Sequence, residues 1–277
     1  FDLLYASICL MFFNILLILV SVWAAVMLHL QILQEEKQMR YTGGIYHKTQ
    51  IELTYNSNHM EGSRLTHDQT RYIFETNTIG IEGESVRVDD IMETVNHFRC
   101  IDLIIDRAEE TLTESLLKEL HLILKTGTSD SRKDWFAVGE YKRLPNEVGG
   151  NETTAPEKVH RDVKALLKEY NSKKKKTFED IVDLHQRFES IHPFQDGNGR
   201  VGRLLMFKEC LRHDVMPFII DDKRRSRYLR GIKEWHDDRY ELVDVVMEAQ
   251  DRFEAQIELQ KLYAHTRLYL PADYKED

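Results

Sequence analysis

Charge is distributed so unevenly along this 277-residue chain that it constrains the architecture before any other feature does. From Leu3 to Gln34 there is no Asp, Glu, Lys or Arg, and Asp2 is the only charged side chain among the first 34 residues. All 38 Lys and Arg, and all but one of the 47 Asp and Glu, lie in residues 35–277. The chain therefore reads as a charged body with an apolar lead. A helix needs about 20 apolar residues to cross roughly 30 Å of hydrocarbon, and this run is longer. The expectation is a transmembrane helix over residues 1–34 that anchors the chain to a membrane. Lys37, Arg40 and Lys48 follow the run and only Asp2 precedes it, which places the body in the cytoplasm. The competing readings are a buried core helix and a start wrongly extended upstream, either of which would make the chain cytoplasmic.

The body is long enough for one large core, and at 42% hydrophobic residues the chain is too apolar for disorder. A net charge of −9 argues against a general nucleic-acid binder. Cys9, Cys100 and Cys210 stand far apart with no C-x-x-C spacing, so they suggest neither a disulfide framework nor a zinc site.

Periodicity predicts an all-α body. Ile91, Val95, Phe98 and residues 101–105 recur at helical spacing, as do Leu116, Leu117, Leu120, Ile123 and Leu124, a series that stops at Gly127. A third helix runs from about Phe178 to Ile191 and halts at His192-Pro193, because a residue before proline avoids the helical region. A fourth starts near Arg200 with Val201, Leu204, Leu205 and Leu211 on its apolar positions, and a fifth covers about Leu242 to Tyr263. Only residues 136–150 look like a hairpin, two short runs around a Pro145-Asn146 turn. The run Lys173 to Lys176 reads as a solvated loop.

The segment richest in chemistry is His192-Pro-Phe-Gln-Asp-Gly-Asn-Gly-Arg-Val-Gly-Arg203. A helix ends, a loop holds Gly197 and Gly199, and a new helix begins. Glycines let backbone N–H groups approach a ligand, and a helix N-terminus adds partial positive charge, so the segment suits an anion such as phosphate. Arg200 and Arg203, three apart, share one face of the new helix. Cations are disfavoured at that end by the helix dipole, so a pair of them makes sense if a polyphosphate fills the space. Asp196 then becomes a natural Mg²⁺ ligand alongside phosphate oxygens. His192 suits a proton acceptor for an incoming hydroxyl. Asn198 either donates to a phosphate oxygen or braces the loop.

These residues resemble the Fic family signature, H-x-F-x-[DE]-G-N-G-R-x-x-R, at every fixed position, and the resemblance extends over roughly residues 42–240. It implies an all-helical Fic-type bundle spanning 35–277, with a hairpin flap at about 136–150 that positions a target segment. It implies transfer of AMP from ATP, with Mg²⁺, to a Ser, Thr or Tyr hydroxyl of a protein, on another chain or on itself. His192 would be the general base and Phe194 the loop's anchor. Asp196 would bind Mg²⁺, Asn198 with the backbone of Gly197 and Gly199 would hold phosphate oxygens, and Arg200 and Arg203 would hold the β- and γ-phosphates.

Ser57-Asn-His-Met-Glu61-Gly62 resembles the family's inhibitory motif, [ST]-x-x-x-E-[GN], on a helix at about 50–62. The resemblance implies that Glu61 pairs with Arg203 and keeps the γ-phosphate from docking. It also leaves open a homodimer that controls inhibition. Three other readings stay open: the reverse reaction, removing AMP with Glu61 orienting a water; transfer of UMP or phosphocholine; and a non-catalytic nucleotide-sensing module. A Doc-like kinase fits less well, because that branch departs from G-N-G-R where Gly199 stands.

Overall fold

The computed structural model describes residues 28–80, 85–148 and 150–269. The described residues form ten α-helices: α1 (Leu28–Met39), α2 (Ile45–Met60), α3 (His67–Thr76), α4 (Val88–Asp106), α5 (Glu114–Lys125), α6 (Pro156–Ser172), α7 (Phe178–Ile191), α8 (Asn198–His213), α9 (Arg225–Glu234) and α10 (Tyr240–Tyr269). The all-α expectation holds, and each of the five helices read from periodicity is present. Helices α1, α3, α6 and α9 come in addition. Local chemistry sets the starts and stops. Thr66 with Gln69, and Thr177 with Asp180, form capping boxes that begin α3 and α7. Thr113 caps α5, and Pro156 opens α6, where its missing N–H costs nothing.

Helix α8 is the spine. Every residue from Asn198 to Leu211 is buried, so the helix is enclosed on all sides although it carries Arg200, Arg203, Lys208 and Glu209. A helix buried all round is normally apolar, and here each charge must find a partner instead. Lys208 donates to the Ala108 carbonyl at 3.0 Å and to Glu209 at 2.9 Å. One apolar cluster joins α4, α5, α6 and α7 to α8 through residues such as Ile104, Leu120, Val163, Phe188 and Leu204. A second cluster, around Trp235, Val245 and Met206, seats α9 and α10 against α7 and α8.

The expected membrane-crossing helix is not borne out. No helix among the described residues is long and apolar enough to cross a membrane. The end of the predicted span, from Leu28 onward, is the start of α1, which continues through Glu35, Glu36 and Lys37. Leu30 and Leu33 are buried in the main cluster, Gln34 donates to the Ile105 carbonyl at 3.3 Å, and Lys37 pairs with Asp106 at 2.6 Å. This part of the lead is apolar because it packs on protein, and the packed body begins before residue 35. The rest of the predicted span, residues 1–27, lies outside the described residues.

The hairpin is present but shifted. Strands β1 (Glu147–Val148) and β2 (Asn151–Glu152) pair antiparallel, with Glu147 opposite Glu152 and Val148 opposite Asn151. The connection is at 149–150, where Gly150 has φ +80°, and not at Pro145-Asn146. A two-residue connection needs positive φ, which glycine supplies. In the lysine run, residues 173–175 are exposed as expected, but Lys176 is buried, with Nζ 4.5 Å from the Tyr170 ring centroid.

Candidate active site

The loop between α7 and α8 is built from its backbone outward. His192 closes α7 in the left-handed region at φ 50°, and Gly197 caps α8 at φ 82°. Glycine is suited to that conformation, whereas a histidine there stores strain that its surroundings must hold. Phe194 is fully buried and stacks on His121, with ring centroids 4.1 Å apart and planes 10° from parallel. Asn198 resolves its two readings in favour of bracing. Its Oδ1 accepts from the Phe194 N–H and its Nδ2 donates to the Phe194 carbonyl, both at 2.8 Å. The residue expected to hold phosphate therefore spends its side chain on the loop and leaves its position at the helix N-terminus as its means of meeting an anion.

Arg203 is buried and surrounded by acceptors from α2. Its Nε donates to Ser57 Oγ at 3.0 Å, and its Nη2 donates to the Ser57 carbonyl at 2.9 Å and to Glu61 Oε1 at 2.7 Å. The Ser57 carbonyl is one of the last four of its helix, so the guanidinium also satisfies a helix C-terminus. The Glu61 carboxylate lies against the start of α8, where a Cβ added to Gly199 would be 2.2 Å from its Oε1. An anion therefore occupies the anion-favouring end of α8. Burial opposes ionisation of Glu61, but the Arg203 and Arg200 charges outweigh it and hold its carboxyl below the usual range.

Arg200 is held differently. Its Nη1 donates to Glu93 on α4, and its Nη2 to Asp196 at 3.0 Å. Lys125, at the end of α5 and almost fully buried, bridges three carboxylates: Glu93 at 2.6 Å, Asp130 at 2.8 Å and Asp196 at 2.7 Å. Asp196 is held well below the ordinary carboxyl range. Burial works against its ionisation, and Arg200 followed by Lys125 overrides that effect. The oxygens of Glu93, Asp130 and Asp196 lie within 4.8 Å of one another, as a metal site requires, yet the Lys125 ammonium already bridges them. Asp196 is the most open of the three, with its side chain 46% exposed.

Beside this cluster, burial and then the Lys142 charge push His192 down to about 4, so its imidazole is neutral near pH 7. The segment before the hairpin is pinned to the same loop. The Lys142 N–H donates to the Pro193 carbonyl at 2.8 Å, the Leu144 N–H to Gln195 Oε1 at 3.2 Å, and Asn146 Nδ2 to the Phe194 carbonyl at 2.9 Å.

All the site residues read from sequence thus converge on the α7–α8 loop and the end of α2. Sequence reasoning missed Glu93, Lys125, Asp130 and Lys142. A charge following an apolar helical series, such as Lys125 after Leu124, looks the same whether it faces solvent or a buried partner, so these residues carried no local signal.

Comparison with known proteins agrees with this geometry. Residues 111–210 match the Fic/DOC family model. The chain is 29% identical over 213 residues to the protein adenylyltransferase Fic of Drosophila grimshawi, covering 73% of this chain and 39% of that protein. The corresponding Drosophila melanogaster protein is 28% identical over 209 residues, covering 73% and 38%. The chain thus spans about two fifths of the length of these curated relatives. Among solved structures, a Fic domain containing signaling protein from Bacteroides thetaiotaomicron superposes with a TM-score of 0.68 at 25% identity, over 87% of this chain and 94% of that one. A Fic-1 fragment from C. elegans shares the fold, with a TM-score of 0.64 at 19% identity over 89% and 75% of the two chains. The complete signature lies inside the segment that matches the Fic/DOC family model, and the same helical frame surrounds it.

Proposed function

We propose that this chain is a self-inhibited protein adenylyltransferase, moving AMP from ATP to a protein hydroxyl with pyrophosphate leaving. The observation that carries the reading is the Glu61 carboxylate on Arg203 at the N-terminus of α8, an anion where a nucleotide phosphate would bind. The names of the Drosophila relatives support the same reaction class.

The residues divide the work as follows. His192, neutral near pH 7, accepts the proton of the incoming hydroxyl. The hydroxyl oxygen attacks the α-phosphorus, and the bond to pyrophosphate breaks. Arg200, Arg203 and the first N–H groups of α8 neutralise the charge spread over the phosphate oxygens, so catalysis rests on positioning and preorganised charge. Asp196, ionised and half open, would hold Mg²⁺, which would supply charge neutralisation to the nucleotide phosphates when bound. Glu93 and Asp130 suit it less, because Lys125 pairs with both. The segment 142–146, tied to the loop backbone, sets where a target chain lies relative to His192. While Glu61 holds Arg203, a γ-phosphate cannot take the same guanidinium, and ATP cannot settle in line for attack.

The test uses α-labelled ATP and Mg²⁺ with wild type, Glu61→Gly and Glu61→Gly/His192→Ala. Label should appear on protein with Glu61→Gly, and fall about 10²–10⁴-fold when the base is removed. ATP binding without label in any form would overturn the reading. Release of pre-attached AMP that depends on Glu61 would replace it with the reverse reaction.

A further inference from the structure

Glu189 lies on the last turn of α7, three residues before His192, and has no place in the chemistry described so far. Its side chain is buried beside the site, with Oε2 3.7 Å from His192 Nδ1. His192 Nδ1 and Glu189 Oε1 are both buried without a well-aligned hydrogen-bond partner, and the Glu189 backbone carbonyl also faces the imidazole. A buried polar atom with no aligned partner is costly, and a carboxylate oxygen 3.7 Å from Nδ1 points to a contact that shortens when substrate is bound. The signature helix leaves room for this carboxyl group. A Cβ on Gly202 would lie 2.8 Å from Glu189 Oε1 and 2.6 Å from His185 Nδ1. His185, the other titratable ring on this face of α7, is committed through Nε2 to the Tyr228 hydroxyl.

We propose that Glu189 is the positioning residue for His192: its carboxylate takes the Nδ1–H and leaves Nε2 free to accept the target hydroxyl's proton. The inference rests on the adenylyltransferase reading. In the balanced step, the hydroxyl proton moves to Nε2, the oxygen forms its bond to the α-phosphorus, and pyrophosphate leaves with the electron pair of the broken P–O bond. The imidazolium that results carries a positive charge, which the adjacent Glu189 carboxylate offsets.

The arrangement also makes the pair sensitive to pH. Burial, and then the Glu61 carboxylate, push Glu189 up to about 8, with Arg203 opposing, so the pair shares one proton at neutral pH. A protonated Glu189 donates to Nδ1 and strands the ring proton on Nε2, where it blocks base catalysis. An ionised Glu189 selects the competent tautomer. The groups acting on the pair come from every side: Glu61 from α2, Arg203 from α8, Tyr228 from α9, His185 from α7, Asp196 from the α7–α8 loop and Lys142 from the flap segment.

Two measurements test this. Nitrogen-15 spectra of the full chain, with His192 assigned by its loss in His192→Ala, should show its ring changing from Nε2–H to Nδ1–H as pH rises through about 8. Glu189→Gln and Glu189→Leu should each abolish that change. In a Glu61→Gly background, kcat for transfer should rise with pH. The midpoint should fall below 8, because removing Glu61 removes a charge that raises Glu189. Glu189→Gln should flatten the profile and lower the kcat plateau about tenfold, with KM for ATP within about twofold. A ring tautomer or a kcat profile that ignores Glu189→Gln would overturn the proposal. A tautomer change that responds as expected, in a protein that transfers nothing, would uphold the pairing and refute the adenylyltransferase reading instead.

Discussion

The two signature arginines sit one turn apart on the same buried helix, yet their partners are held in different ways. Arg203 faces α2, where its anionic partner is Glu61, a residue just beyond the last turn and followed by Gly62 at φ +93°. Arg200 faces α4, where Glu93 lies mid-helix and shares Lys125 with Asp130 and Asp196. Side-chain exposure follows the same division: Glu61 is 33% open and Glu93 is 15% open. Removing Glu61 leaves Arg203 its two bonds to Ser57, whereas removing Glu93 takes a partner from two buried cations at once. A carboxylate can inhibit reversibly only where its departure is cheap. Of the two arginines, Arg203 thus has the exchangeable partner and Arg200 the permanent one.

This contrast can be broken by mutation. Lys125→Met carries the largest expected effect, because it leaves three clustered carboxylates without their common cation. A loss of about 5 kcal/mol is expected, at the upper end for breaking a buried ionic contact, measured as urea unfolding free energy. Glu93→Ala should cost about 3 kcal/mol, since Asp196 still holds both cations, and should give no gain in AMP transfer. Activation by Glu93→Ala would show that the two partners are not different in kind. Glu61→Gly should cost only about 1 kcal/mol while raising transfer at least about tenfold. A large fall in melting temperature for that variant would make Glu61 a permanent partner as well.

The smallest effect is in pH. Because the folded-state pKa of Glu61 is depressed, its contribution to stability is present above the unfolded value and lost as pH falls through the folded one. The melting temperature of wild type should therefore exceed that of Glu61→Gln at pH 5. The margin should shrink below about pH 4. A margin already lost at pH 5 would mean that mild acid alone releases Arg203.

Most of the site was legible because its instructions are local. Pro193 ends α7, Gly197 starts α8, and Arg200 and Arg203 follow at helical spacing within one continuous segment. The pairing of Glu61 with Arg203 spans 142 positions, and was legible only because Ser57 and Glu61 carry a recurring pattern of their own. Glu93 carries no such pattern, and reaches Arg200 across 107 positions. The apolar lead misled for a related reason: burial against protein and burial in lipid select the same residue types, and Leu30 and Leu33 show which one applies at its end.

By itself, then, the amino-acid sequence determined the helical class, the turn chemistry of the α7–α8 loop and the placing of Arg200 and Arg203 at the start of α8. Tertiary structure alone decided that α8 is enclosed on every side, so that each of its charges needs a partner from another helix. It also decided which carboxylates those partners are, and that Glu189 comes to lie beside His192 Nδ1. The physical reason is that backbone preference acts over a few residues, whereas the cost of a buried charge is settled by whatever distant segment the fold brings against it.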